Sequence, residues 1–457
     1  MGRADNGFLL RFGALAAGLA LLLAGAGGRA DDKTPPKPAE KKKATPAPVN
    51  EEELKAELLE FNKAKSDEAR RDVLRSFTKD KTRAKAGVAL AAKMQKAGKG
   101  KERAFTFTGA LLVGKAAHVV REYDTAEYFY EYCAEAATRL ESGEKMLQAY
   151  EGLMDLYWEA KRFGDLADVC ERFVEMKGPK EVDQARPFVL EKLVQAKAMQ
   201  GNTDEALRIA ESLIQLDEGG WYFTQVKGWV LRQAGRYPAA IDAYQEALDK
   251  IDTSRAMGKD LKARMKDRMR YVLSGLHVDN KDIDKASAEL QGLIKRNPDN
   301  PTYKNDLGYI WADHDMKLDE AEKLVRDALD LDKKRQQKAV DDGLIDEAKE
   351  TSAYLDSMGW VLFKKKDYKA ALPYLKKAAA DEEEGDHLEI WDHLADCQLA
   401  IGDKAAAIEA WQKGLTFDDL SKRDAARRRQ VIVKLKEQGV EPRVPPKRDT
   451  PPRRKID

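Results

Sequence analysis

The chain has 457 residues, 35% of them charged and 43% hydrophobic, with a formal net charge of +1. So balanced a charge gives the whole molecule no field for nucleic acid, and electrostatic recognition must come from local runs. The three cysteines, Cys133, Cys170 and Cys397, form no CxxC pair and are odd in number, which argues against a closed disulfide framework and a cysteine-built zinc site.

In chain order, the first predicted element is an export signal over residues 1–30. Arg3 and Arg11 give a basic start, and Phe12 to Gly28 carries no charge around the run Leu19-Ala20-Leu21-Leu22-Leu23-Ala24. Gly28-Arg29-Ala30 places small residues where a signal peptidase reads, with Asp31-Asp32 after the cut. The stretch is short and glycine-rich for a membrane span of about 20 apolar residues, so a retained N-terminal anchor is the alternative to cleavage. Residues 31–50 are rich in Pro, Lys and Ala and predict an extended, disordered linker. From Glu51 to about Gln438 the pattern is helical, with few period-two stretches and so no predicted sheet. It divides into a helical N-terminal region (51–106), a repetitive part (107–421) and a C-terminal capping helix (422–439). The tail 440–457 is basic, proline-rich and predicted to be disordered.

The repetitive part shows a glycine, replaced by alanine in the last set, then an alanine twelve or thirteen residues later and another small residue seven further on. The sets are Gly228, Ala240, Ala247; Gly308, Ala321, Ala328; Gly359, Ala371, Ala378; and Ala395, Ala407, Gly414. Weaker copies are Gly114, Ala126, Cys133 and Val194, Ala206, Leu213. Two short antiparallel helices approach closely only where small residues meet at the crossing. Large residues such as Tyr244, Val325, Leu375 and Trp411 are expected to fill the groove toward the next pair. Gly235-Arg236-Tyr237, Lys366-Asp367-Tyr368 and Gly402-Asp403-Lys404 supply the turns. One pair cannot bury both its faces, so pairs must stack.

These units resemble tetratricopeptide repeats, a helix-turn-helix family of about 34 residues per repeat. The resemblance is carried by residues 221–251, 305–332, 354–379 and 390–415, with Pro298 as the proline between repeats. About eight units start near residues 107, 147, 187, 221, 267, 301, 352 and 388, the first three degenerate. The segments NDLGYIWAD and DSMGWVLF also resemble repeat proteins of bacterial envelopes. Extra residues separate the 221 and 267 units, and the charged insert KKRQQKAVDDGLIDEAKET follows the 301 unit. The insert either lengthens a second helix or adds an irregular turn. The resemblance implies an all-α, right-handed superhelical solenoid of antiparallel helix pairs.

The resemblance also implies that first helices line a concave groove for a peptide or partner helix. The position after the small residue holds Trp229, Tyr309 and Trp360, which serve either as binding anchors or as packing between first helices. Around them stand Gln225, Arg232, Asn305, Asp313, Asp356 and Lys364. Asn305 is of the type that some members use to hold a peptide backbone or terminal carboxylate. Asp313, Asp356, Asp392 and Asp396 argue against such a clamp here and favour basic or neutral segments. Of the five histidines, His387 and His393 fall on different faces of a helix, and no arrangement has zinc-ligand spacing. Cys133 and Cys170 read as small buried thiols, with one disulfide between them as the alternative in an exported chain. Gly98-Lys99-Gly100-Lys101 lacks the glycine and Ser/Thr of a phosphate loop, and GxSxG and HExxH do not occur. The basic runs at Lys41–Lys43, Arg427–Arg429 and Arg453–Lys455 read as solvated ends, with an anionic surface as the rival. No cofactor, metal, nucleic-acid partner or enzymatic activity is expected. The expected role is a scaffold or adaptor binding a protein or peptide in the bacterial envelope. A self-associating structural subunit and a non-catalytic subunit of an envelope enzyme complex are the alternatives.

Overall fold

The computed structural model describes residues 50–98, 103–217, 220–255, 257–345, 347–381, 384–417 and 422–444. The expected signal, nearly all of the linker, Lys99 to Lys101 and the tail from residue 445 lie outside them. Among the described residues there are twenty α-helices and no strand. The chain divides into two compact units between Met269 and Arg270.

The N-terminal unit opens with α1 (Glu51–Glu60), a 3-10 turn at Phe61–Lys63, α2 (Asp67–Thr78) and α3 (Lys81–Ala97). Asn62 ties this region to the next helix. Its amide donates to the Ala104 carbonyl at 2.9 Å, and its Oδ1 accepts from the Thr106 amide at 2.8 Å. Four helix pairs follow: α4 (Phe107–Val119) with α5 (Tyr123–Arg139), and α6 (Gly143–Glu159) with α7 (Phe163–Glu175). Then come α8 (Lys180–Met199) with α9 (Thr203–Leu216), and α10 (Trp221–Ala234) with α11 (Tyr237–Thr253). First helices of successive pairs touch, α4 on α6, α6 on α8 and α8 on α10, so one wall of the unit is built of first helices.

The division falls inside α12 (Lys259–Asp279), which is followed by α13 (Ile283–Arg296). The C-terminal unit continues with α14 (Pro301–Asp313) and α15 (Leu318–Asp341), α16 (Ser352–Lys364) and α17 (Tyr368–Ala379), then α18 (Leu388–Ala400) and α19 (Lys404–Gly414). A last helix, α20 (Lys422–Glu437), closes the unit. Here too first helices adjoin, α14 on α16 and α16 on α18. The charged insert extends α15 to 24 residues before an irregular return to α16. The extra residues after α11 likewise make α12 21 residues long.

The small-residue sets lie at the helix crossings. A β-carbon on Gly308 would stand 2.8 Å from the Ala321 carbonyl oxygen and 2.6 Å from Val325. One on Gly359 would stand 2.6 Å from Leu375 Cδ2. Tyr244, Val325 and Leu375 therefore fill the notch that the glycine leaves in their own pair. Ala240, Ala247, Ala321, Ala328, Ala371 and Ala378 are all fully buried. The turns within pairs share one design. Gly235, Lys366 and Gly402 adopt left-handed backbone at φ 75°, 66° and 91°. The next amide then bonds back to the helix, as Asp367 does to the Leu362 carbonyl at 2.9 Å. Asp367 and Asp403 cap the second helix by accepting from Ala370 and Ala406.

Candidate functional site

Arg423, Arg427, Val431, Lys434 and Leu435 recur on α20 at spacings that place them along one stripe of a helix. That stripe lies against first helices of the C-terminal unit. Arg423 Nε donates to Asp279 Oδ1 at 2.6 Å, and its Nη2 donates to the Gly275 carbonyl at 3.0 Å, both on α12. Arg427 reaches Tyr309 of α14 at 3.5 Å and three side chains of α18. It pairs with Glu389 and donates to Asp392 Oδ2 and His393 Nε2, each at 3.2 Å. Lys434 Nζ donates to Asp392 Oδ1 at 2.7 Å and to both Asp396 oxygens at 2.8 and 2.7 Å. Val431 and Leu435 are fully buried between these polar anchors. Beyond the helix, the Arg443 amide donates to Gln412 Oε1 at 2.9 Å, so the chain continues along α19.

A second layer supports this contact. His393 is fully buried, with Nδ1 2.9 Å from Asp356 Oδ2. A guanidinium has donors only, so in the neutral imidazole Nε2 accepts from Arg427 and Nδ1 carries the proton given to Asp356. The Trp360 ring stacks on the imidazole at 3.9 Å between centroids, and its Nε1 donates to Asp313 Oδ1 at 3.1 Å. Tyr309 donates its hydroxyl to Glu389 Oε1 at 2.5 Å. Asp392 also accepts from Trp411 Nε1 at 2.9 Å.

The electrostatics follow from burial and pairing. Burial, then the charge on Glu389, pushes the Tyr309 phenol well above its ordinary value, so it stays protonated and donates. Burial opposes charge on Glu389, but Arg427 and His393 outweigh it and hold the carboxyl below its usual range. Burial likewise opposes charge on His393. Asp356, by its charge and hydrogen bond, outweighs that and raises the imidazole above its ordinary value. Burial and the neighbouring Asp392 raise Asp396, with Lys434 pulling it back.

The structure gathers Tyr309, Asp313, Asp356 and Trp360 around His393, beneath α20. Lys364 lies beside them, paired with Asp315 at 2.9 Å and over the Trp360 ring. Asn305 is buried and donates to Asp306 at 3.2 Å. Gln225, Trp229 and Arg232 lie elsewhere, half-buried on α10 of the N-terminal unit, where Trp229 packs against the core of Val194, Phe223 and Val230. The first-helix wall of that unit also carries Glu151, Asp155, Glu159 and Glu191. Burial raises Glu151, Asp155 and Glu191, with Lys192 pulling all three back. Asp155 is nonetheless 59% exposed, so this carboxylate stands among neighbours but within reach of water.

Glu389, His393, Arg423, Arg427 and Lys434 were not singled out as binding residues from sequence. The signal for the last three was present in their stripe, but Arg427–Arg429 read as a solvated run. All three cysteines are buried free thiols, and burial raises Cys170 to about 12 and Cys397 to about 11. Among the described residues no group of three or more His, Cys, Asp or Glu is placed to hold a metal ion, and no helix is long and apolar enough to cross a membrane.

A family model for the tetratricopeptide repeat matches residues 192–255, 272–335 and 357–426. No curated protein matches the sequence. Among solved structures, the chain is similar to a tetratricopeptide repeat protein from Parabacteroides merdae, at 12% identity and TM-score 0.41 over 66% of this chain and 98% of that one. It is similar to TTC0263, a thermophilic repeat protein of Thermus thermophilus, at 17% identity and TM-score 0.35 over 47% and 100%. MamA from Desulfovibrio magneticus matches at 17% identity and TM-score 0.31 over 42% and 92%.

Proposed function

We propose that this chain, which is built on tetratricopeptide repeats, is a non-catalytic scaffold that binds a partner protein or peptide along the first-helix walls of its repeats. Repeat arrays of this kind serve as protein-interaction surfaces, because stacking leaves one wall of side chains free for another chain. The observation that carries the reading is α20. A helix remote in sequence is held on the first-helix wall by side-chain pairs to α12, α14 and α18. A surface that seats one amphipathic helix is of the kind that seats a partner's. The sequence of residues 1–30 supports a place in the bacterial envelope after export.

The test is photo-crosslinking in cells, with a crosslinking residue at Glu151 or Trp229 on the first-helix wall and at Ser212 on the exposed side of α9. Partner adducts are expected at the first two positions. Adducts confined to Ser212 would move the binding surface elsewhere.

The Asp356–His393 pair is the observation that favours a catalytic reading. Both imidazole nitrogens are already bonded, one to Asp356 and one to Arg427, and the ring is fully buried under Trp360. General base catalysis needs a lone pair within reach of a substrate proton. With α20 docked this imidazole offers none, so the pair is read as a support for the helix-binding wall.

A further inference from the structure

We infer that α20 is a displaceable resident of a basic-helix site, and that a partner engages the C-terminal unit by presenting a helix of the same chemistry in its place. This rests on the reading above that the first-helix wall is where partners bind. The contact has the form of ligand recognition. Three cations from one helix meet four carboxylates, Asp279, Glu389, Asp392 and Asp396, and two of those cations also bond to further groups on α12 and α14. Arg423 and Asp279 are 144 residues apart, so sequence proximity does not explain their pairing.

The wall is complementary to a cationic occupant. Asp392 is almost completely buried, and with α20 removed it would keep the Trp411 indole but lose Arg427 and Lys434. Asp396 would lose both bonds from Lys434, and Glu389 would lose Arg427. A bare cluster of carboxylates repels itself, whereas a second basic helix restores every pair. The register is set by α20: Arg or Lys at positions i, i+4 and i+11, with aliphatic residues at i+8 and i+12. Arginine fits i+4 best, because that site offers Glu389, Asp392, the Tyr309 hydroxyl and the His393 lone pair to one planar donor. Lysine fits i+11, where one ammonium spans Asp392 and Asp396.

The experiment uses the full-length chain and a fluorescent peptide of residues 422–439, KRDAARRRQVIVKLKEQG. Its binding is measured on the wild type and on the double variant Arg427→Ala, Lys434→Ala, which weakens the resident helix. Because apparent affinity scales with the fraction of open sites, the double variant is expected to bind at least about tenfold tighter than the wild type. Adding Asp396→Asn should abolish most of that gain. Circular dichroism checks that the variants keep their helices. A second measurement needs no variant: excess peptide should raise amide exchange across residues 422–437 of the wild type. Equal binding by wild type and double variant would overturn the inference, as would no binding by either, or equal binding of a scrambled peptide. A concentration-dependent dimer that the double variant abolishes would overturn it too, by making a second copy the source of the helix. Crosslinked partners at Glu151 or Trp229 with no peptide exchange would leave the scaffold reading standing and remove this one alone.

Discussion

A proton and Arg427 compete for one lone pair on His393 Nε2. The imidazole is faced by Asp356 from α16, Tyr309 from α14, Arg427 from α20, and Glu389 and Asp396 on its own helix, with the Trp360 ring stacked on it. The carboxylates draw the proton on, and Arg427 drives it off. Undocking α20 removes the Arg427 charge, so the undocked state binds the proton more tightly. By linkage, docking has its full strength above the undocked pKa and weakens as pH falls through it. The docked imidazole already titrates above its ordinary 6.5, so the undocked one titrates higher still and the window opens above pH 6.5. Amide exchange across 422–437 is expected to rise on acidification through that window, after correction for the intrinsic pH dependence of exchange. His393→Asn keeps a donor for Asp356 but cannot take the proton, and should remove that step. An unchanged step in the variant would assign it to the carboxylates instead.

At the scale of helices and pairs, two glycines do different work and can be told apart. Gly308 provides close approach: a β-carbon there meets the Ala321 carbonyl and Val325, neither able to move without shifting α15. Gly308→Ala is expected to destabilise the C-terminal unit by about 1–3 kcal/mol through overpacking. Gly402 has open space around it and is needed only for its φ of 91°. Gly402→Ala should cost about 1–2 kcal/mol through backbone strain alone. Chemical denaturation of both variants checks this, and a loss at Gly402 larger than at Gly308 would contradict the packing account. α20 obeys another balance. A lone helix of its length is marginal in water, so docking and helix formation stabilise each other. Burying Val431 and Leu435 contributes about 1.5–3 kcal/mol each, while its partly buried ion pairs add less than their number suggests because desolvation offsets attraction. Side-chain burial and ion pairing together therefore order the docked helix.

For the whole molecule, net charge says little and its distribution says more. The chain sums to +1, yet carboxylates gather on the first-helix walls while basic residues concentrate in α20 and the last residues. A cationic neighbour, from the same chain or another, relieves the self-repulsion of a carboxylate wall. The proposed setting has its own test at this scale. If residues 1–30 are an export signal, mature protein from the envelope fraction should begin at Asp31 by N-terminal sequencing. An intact Met1 in that fraction would support the retained anchor, and an intact Met1 in the cytosol would end the export reading.

How much of this was legible depends on how local the physics is. Gly308, Ala321 and Ala328 sit within one pair, so the sequence alone determined the crossings, the turns at Lys366 and Gly402, and the stacking that unsatisfied faces require. It also showed an acidic wall at Asp313, Asp356, Asp392 and Asp396 and, separately, a basic run at Arg427–Arg429. Periodicity could not show that the two meet, because spacing along one helix carries no information about which distant surface it covers. Only the tertiary structure placed Arg423 beside Asp279, put Tyr309 and Trp360 beneath α20, and left Trp229 half-exposed in the other unit. The reason is physical: a helix pair is fixed by sterics between near neighbours, whereas the occupant of its wall is selected by charges and side-chain burial that compete across the whole chain.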